Sequence, residues 1–161
     1  MSDENADSLE PIIMEVTVPR APDEAFRLFT AGIASWWPAE THSLEHGKAE
    51  VRFDGCAGGD IYEALDDGRR HVWGSVIVWE PPSRVSFTWH PGREASEAQI
   101  VEMRFVADAG GTRVTLEHRG WENAGVEGPI LRAGYANGWV YVFGECYASA
   151  AVPGAAQEAS S

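Results

Sequence analysis

Two spacings of apolar residues divide this chain, one of two positions and one of three to four. The run IIMEVTV (12–18) alternates and is rich in β-branched residues, which predicts a strand ended by Pro19. The next stretch, APDEAFRLFTAGIASWW (21–37), follows the helical period through Phe26, Phe29 and Ile33. Pro22 suits a first helical turn, and Asp23 and Glu24 favour its positive end. Gly32 divides the stretch into two short helices, and Pro38 stops it.

From residue 49 the period is two. Strands are predicted over 49–53, 59–65, 70–79, 84–90, 98–107 and 112–121, joined by the turn-rich GCAGG, DDG, EPPS, PGREAS and DAGG. Short consecutive connections of this kind make an antiparallel meander. Three strands separate their faces: Val85, Phe87 and Trp89 oppose Arg84, Ser86 and Thr88, while Val101, Met103, Phe105 and Ala107 oppose Glu102 and Arg104. In the third, Val114 and Leu116 share a face with His118, opposite Thr115, Glu117 and Arg119. A sheet with one apolar face needs one cover.

The cover has to come from GPILRAGYANGWVYVFGECYAS. Its β-branched and aromatic centre, 139–143, would suit a strand, but the helical spacing of Leu131, Tyr135, Gly138 or Trp139, Val142 and Cys146 favours a helix begun by Pro129. Gly134, Gly138 and Gly144 each cost such a helix about 1 kcal/mol against alanine. They are expected where the helix backbone approaches the sheet closely. Large side chains between a curved sheet and one helix either interdigitate or leave a cavity, and Trp89, Trp139, Tyr135 and His118 are the residues placed there.

Composition narrows the function. A chain of 161 residues is one domain, and seven Trp is the unusual feature of an otherwise ordinary globular composition. The net charge of −13 argues against nucleic acid and anionic membrane surfaces as partners. Cys56 and Cys146 have neither disulfide-framework nor zinc-site spacing. The acidic N-terminus reads as no signal peptide, and no run of about eighteen apolar residues occurs. The expectation is a cytoplasmic protein with reduced thiols, one domain over 11–149, and disordered segments at 1–10 and 150–161.

WGSVIVWEPPSRVSFTWH, the upstream GGDIYEALDDG, the pair Trp36–Trp37 followed by HS at 42–43, and TRVTLEHRGW together carry a resemblance over residues 12–149. The chain resembles the activator-of-heat-shock-protein-90-ATPase-homologue family, within the START-like (SRPBCC; polyketide cyclase, pollen-allergen-like) superfamily. The resemblance implies an α+β helix-grip fold: a curved antiparallel sheet of six or seven strands around a long C-terminal helix, with two short helices between strands one and two. It implies helix over 129–148, and a cavity that takes a small hydrophobic, lipid-like or aromatic molecule. The well-known cochaperone resembling this domain has a further domain ahead of it. Here about ten polar residues precede the first strand, which leaves a chaperone partner as the lesser expectation.

The chemistry is sparse. His42 and His46 in HSLEH match HExxH only loosely and lack a third ligand, so no metal is expected. No GxSxG, GxGxxG or GKS/T occurs, and no cofactor is expected. Glu63 shares a face with Ile61 and Leu65, so it points inward and could pair with His118 as carboxylate and imidazole. That pair would serve a cyclase, dehydratase or hydrolase, or else only recognise a ligand hydroxyl. Trp36, Trp37 and Trp121 lie near element ends, where they would ring a cavity mouth or pack helix to sheet. The candidate ligand contacts are therefore Trp37, Glu63, Trp89, Met103, His118, Trp121, Tyr135 and Trp139.

Overall fold

Seven antiparallel strands lie in one sheet in the order β1-β7-β6-β5-β4-β3-β2. They are β1 (Ile12–Val18), β2 (Glu50–Phe53), β3 (Asp60–Ala64), β4 (Arg70–Glu80), β5 (Arg84–Trp89), β6 (Gln99–Asp108) and β7 (Gly111–Arg119). Only β1 leaves sequence order: it pairs with β7, Val16 opposite Val114, while β2 to β7 form a continuous meander. The computed structural model describes residues 9–152. Between β1 and β2 run α1 (Pro22–Phe29) and a 3-10 turn at Ile33–Ser35. The long C-terminal helix starts with α2 (Gly128–Tyr141), passes through a π-helical turn, Val142–Tyr147, and ends at Ala148–Ala150. The fold is the α+β helix grip.

Leu9 and Glu10 are placed, and the Glu10 carbonyl accepts from Arg132 Nε at 2.6 Å. Ala151 is fully buried and its carbonyl accepts from Arg20 Nε at 2.9 Å. Backbone carbonyls at residues 10 and 151, inside the segments expected to be disordered, are thus hydrogen-bonded to arginine side chains. Residues 1–8 and 153–161 of the two expected tails lie outside the described residues.

The strand faces hold, with two physical exceptions. On the outer face Ser86 and Glu102 are buried as well, because the Glu102 carboxylate sits beneath Arg84, Arg104 and Arg119. At the far end of β6, Ala107 is exposed. In β4 strict alternation fails: the register slips between Ile61 and Tyr62 on one side and between Val76 and Val78 on the other. Such bulges put Trp73 and Val76 both inside, an odd and an even position of one strand. Gly74 lies at the slip, where an added Cβ would stand 1.7 Å from the Thr88 carbonyl oxygen. Only a glycine permits that approach of β4 to β5.

The C-terminal helix grips unequally along its length. Of residues 128–141 only Gly128 and Trp139 are buried, whereas Val142, Phe143, Tyr147 and Ala151 are all in the core. Cys146, expected on the inner face, is only half-buried. The wider π turn advances the chain past the 3.6-residue phase and turns Phe143 and Tyr147 inward instead. The Tyr147 hydroxyl donates to the Ala25 carbonyl at 2.8 Å, which fixes this end of the helix to α1.

The three helix glycines do not mark close approach to the sheet. A Cβ at Gly134, Gly138 or Gly144 would meet nothing within 4 Å. Gly134 faces solvent, so Gly134→Ala is expected to raise the unfolding free energy by about 0.5–1 kcal/mol, measured by urea denaturation. A loss of stability would mean that the backbone there departs from ordinary helix.

Candidate functional site

Gly138 has a different surrounding, because it opens onto a cavity of about 250 Å³ beneath the less buried half of the helix. Two surface grooves are larger, about 410 and 390 Å³, but charged residues wall them: Arg20, Glu24 and Arg27 in one, Lys48 and Glu50 in the other. The cavity under α2 is instead walled by Trp37, Trp73, Trp89 and Trp139. Tyr135 and Val142 complete the helix side, and residues 41–44 with Pro91 close the opposite one. Ring centroids of Trp37 lie 5.2, 5.9 and 6.2 Å from those of Trp73, Trp89 and Trp139. These are tilted and edge-to-face contacts, the packing that aromatic quadrupoles prefer.

Each wall has its own local cause. Trp37 follows the 3-10 turn that Gly32 and Pro38 delimit, and its indole N–H donates to the His42 carbonyl at 3.0 Å. Trp73 is the bulged residue of β4, and Trp89 ends β5 on the apolar side. Trp139 comes from α2 and donates to His118 Nδ1 at 2.9 Å.

His118 is fully buried and lies against Trp121, ring centroids 4.1 Å apart, outside the cavity. An indole N–H can only donate, so Nδ1 accepts and the neutral ring carries its proton on Nε2. That Nε2–H is then the donor to Gln99 Oε1 at 3.2 Å, and the Gln99 amide donates on to the Glu97 carbonyl at 2.7 Å. Burial pushes the imidazole down from 6.5 to about 3, which keeps it neutral. His118 thus orients a cavity wall and does not itself line the cavity.

Glu63 points inward as its face required, and it is fully buried. Its partner is not His118. One carboxylate oxygen accepts from Trp73 Nε1 and from the Leu44 N–H, both at 2.8 Å, and the other accepts from the Glu45 N–H at 2.9 Å. The expected carboxylate–imidazole pair is therefore not formed: three donors occupy Glu63 and two partners occupy His118. Glu63 fastens the loop that closes the cavity. A second fastening on the same loop is His71 Nε2 to Glu45 Oε2, 2.7 Å.

Of the eight candidate contacts, Trp37, Trp89, Tyr135 and Trp139 line the cavity. Met103 is fully buried within the sheet core. Trp121 is buried too, donating to the His118 carbonyl at 3.2 Å, and Trp36 packs 5.3 Å from Tyr147. Both therefore pack helix to sheet. Trp73 was hidden by the bulge. Residues 41–44 carry no periodicity, so pattern reading passes over them. His42 lines the cavity with Nδ1 on the Thr41 hydroxyl at 2.7 Å, while His46 is exposed with a left-handed φ of 51°. Among the described residues no group of three or more His, Cys, Asp or Glu could hold a metal ion, and no helix is long and apolar enough to cross a membrane.

No curated protein matches the chain in sequence. Solved structures share its fold. The Aha1 dimer of Colwellia psychrerythraea is 15% identical, covers 89% of this chain and 97% of its own, and superposes with a TM-score of 0.65. An anthrahydroquino-γ-pyrone synthase, Txn09, is 30% identical over 77% of this chain and 84% of its own, TM-score 0.53. DynU16, a protein of the dynemicin biosynthetic locus, is 20% identical over 86% of this chain and 46% of its own, TM-score 0.56. The family model described as "Activator of Hsp90 ATPase homolog 1-like protein" matches residues 19–145. With that match over most of the helix-grip domain, the chain belongs to the activator of Hsp90 ATPase homolog 1-like family, within the START-like superfamily.

Proposed function

We propose that this protein binds a flat, largely apolar aromatic molecule of two or three fused rings between the sheet and α2. One observation carries the reading: four tryptophans wall a space of about 250 Å³ that the chain leaves unfilled. Gly138 sharpens it, since a helix-interior glycine costs about 1 kcal/mol, and its missing side chain is open space on the cavity side. The size is below the usual range for drug-sized ligands, so a compact ring system is the appropriate occupant. The name of Txn09, a synthase of an anthrahydroquino-γ-pyrone, points to aromatic chemistry in a relative of the same fold. Acid–base catalysis through His118 and Glu63 gains no support, because neither lines the cavity and both are occupied.

The test is a titration with isopropylnaphthalene, followed through the indole N–H signals of the seven Trp by nuclear magnetic resonance. Wild-type protein is expected to bind, with shifts confined to the cavity tryptophans. Gly138→Phe places a ring in the space from the helix side, and affinity is expected to fall about tenfold or more with the fold retained. Unchanged affinity in a folded Gly138→Phe protein would sink the reading.

A further inference from the structure

Three of the four cavity tryptophans have found acceptors for their N–H groups: a loop carbonyl for Trp37, Glu63 for Trp73 and His118 for Trp139. The fourth has not. Trp89 is 2% exposed, and its buried Nε1 has no hydrogen-bond partner. Buried indole N–H groups are ordinarily satisfied, so an orphan on the wall of an unfilled space points to an acceptor that arrives from outside.

A second donor stands beside it. Tyr135 lines the same cavity, and burial pushes its phenol up to about 12, so the hydroxyl keeps its proton. The Trp89 N–H opposes that rise, which places it near the phenol oxygen, although the two do not reach hydrogen-bonding geometry. No Arg or Lys lines the cavity. The nearest cation, Arg93, is already paired with Glu97 and Glu127, so a carboxylate entering there would find no free countercharge, whereas a neutral carbonyl oxygen has two lone pairs for two donors.

We infer that the ligand is an aromatic carbonyl compound, a ketone or quinone, whose oxygen is held jointly by the Trp89 indole N–H and the Tyr135 hydroxyl. This rests on the cavity reading above and adds to it the polar half of recognition. The rings would lie among the tryptophans, and the carbonyl would turn toward the junction of β5 and α2.

Two probes of the same shape separate the claims: methyl naphthyl ketone and isopropylnaphthalene. Wild-type protein is expected to bind the ketone about five- to tenfold more tightly, the worth of a hydrogen bond to an otherwise orphaned donor. Only the ketone should move the Trp89 indole N–H signal downfield. In Trp89→Phe and in Tyr135→Phe the preference for the ketone over the hydrocarbon is expected to shrink to about twofold or less, each variant's own hydrocarbon affinity serving as the reference. Should Trp89→Phe fail to fold, Tyr135→Phe and the wild-type Trp89 signal decide the matter, since phenylalanine preserves the Tyr135 ring. Equal affinity for the two probes in wild-type protein overturns the carbonyl clamp and leaves the cavity reading standing. Binding of neither probe overturns both.

Discussion

Glu63→Ala is expected to lower the unfolding free energy by about 3–5 kcal/mol, the usual consequence of removing one partner from a buried charged hydrogen-bond set. The carboxylate accepts from Trp73 Nε1 and from the backbone N–H groups of Leu44 and Glu45. Alanine leaves all three donors without their acceptor. The two amides can turn to water if the loop lifts, but the Trp73 N–H is in the core and cannot follow. For a chain of this size the melting midpoint should fall by about 10 °C. Hydrogen exchange gives the sharper readout, because Leu44 and Glu45 amides should lose protection far beyond the general loss. Ligand affinity should fall with them, as residues 41–44 form one wall of the cavity. If both amides keep wild-type protection relative to the sheet, the loop is held by something other than Glu63.

The second large effect is a dependence on acid. His118 is neutral when folded, and burial holds its proton affinity down to about 3 against an ordinary 6.5. Below 6.5 the unfolded chain takes up a proton that the folded chain refuses. The stability that the neutral ring confers is therefore complete above pH 6.5 and is lost progressively as pH falls toward 3. At its ceiling the loss is roughly 5 kcal/mol, from the difference between the two values. His118→Gln keeps an acceptor for the Trp139 N–H but cannot titrate. Plotted against pH over this window, its unfolding free energy should be flatter than that of wild-type protein by about one proton's worth of slope. Exposed carboxylates such as Asp67 and Glu97, whose arginine neighbours hold them below the usual range, contribute equally to both proteins. Identical slopes would mean that His118 is charged in the folded state, with the Trp139 hydrogen bond broken.

What the chain disclosed before folding follows from which forces have a period. The seven strands and the helix over α1 were legible because burial on one face writes alternation or helical spacing directly into sequence. His118 and Glu63 were legible as buried polar groups for the same reason. Their partners were not. Glu63 is satisfied mainly by backbone N–H groups of a loop, and backbone donors leave no mark on residue type. Trp73 was obscured because a bulge changes which face an odd-numbered residue takes. The glycines of the long helix were visible, but whether a missing Cβ admits a neighbour or preserves a space depends on what lies across from it.

The π turn at Val142–Tyr147 carries a consequence for how such a protein can change. A uniform helix ties every inward position to one stripe, so altering the stripe at one end rotates demands at the other. Here the phase is reset in the middle. Residues before the turn line the cavity, whereas within it Phe143 and Tyr147, stacked at 5.7 Å, belong to the core and only Val142 faces the cavity as well. The two halves are largely separable, so the cavity lining can change at positions such as 135 and 138 while the anchor at Phe143 and Tyr147 stays as it is.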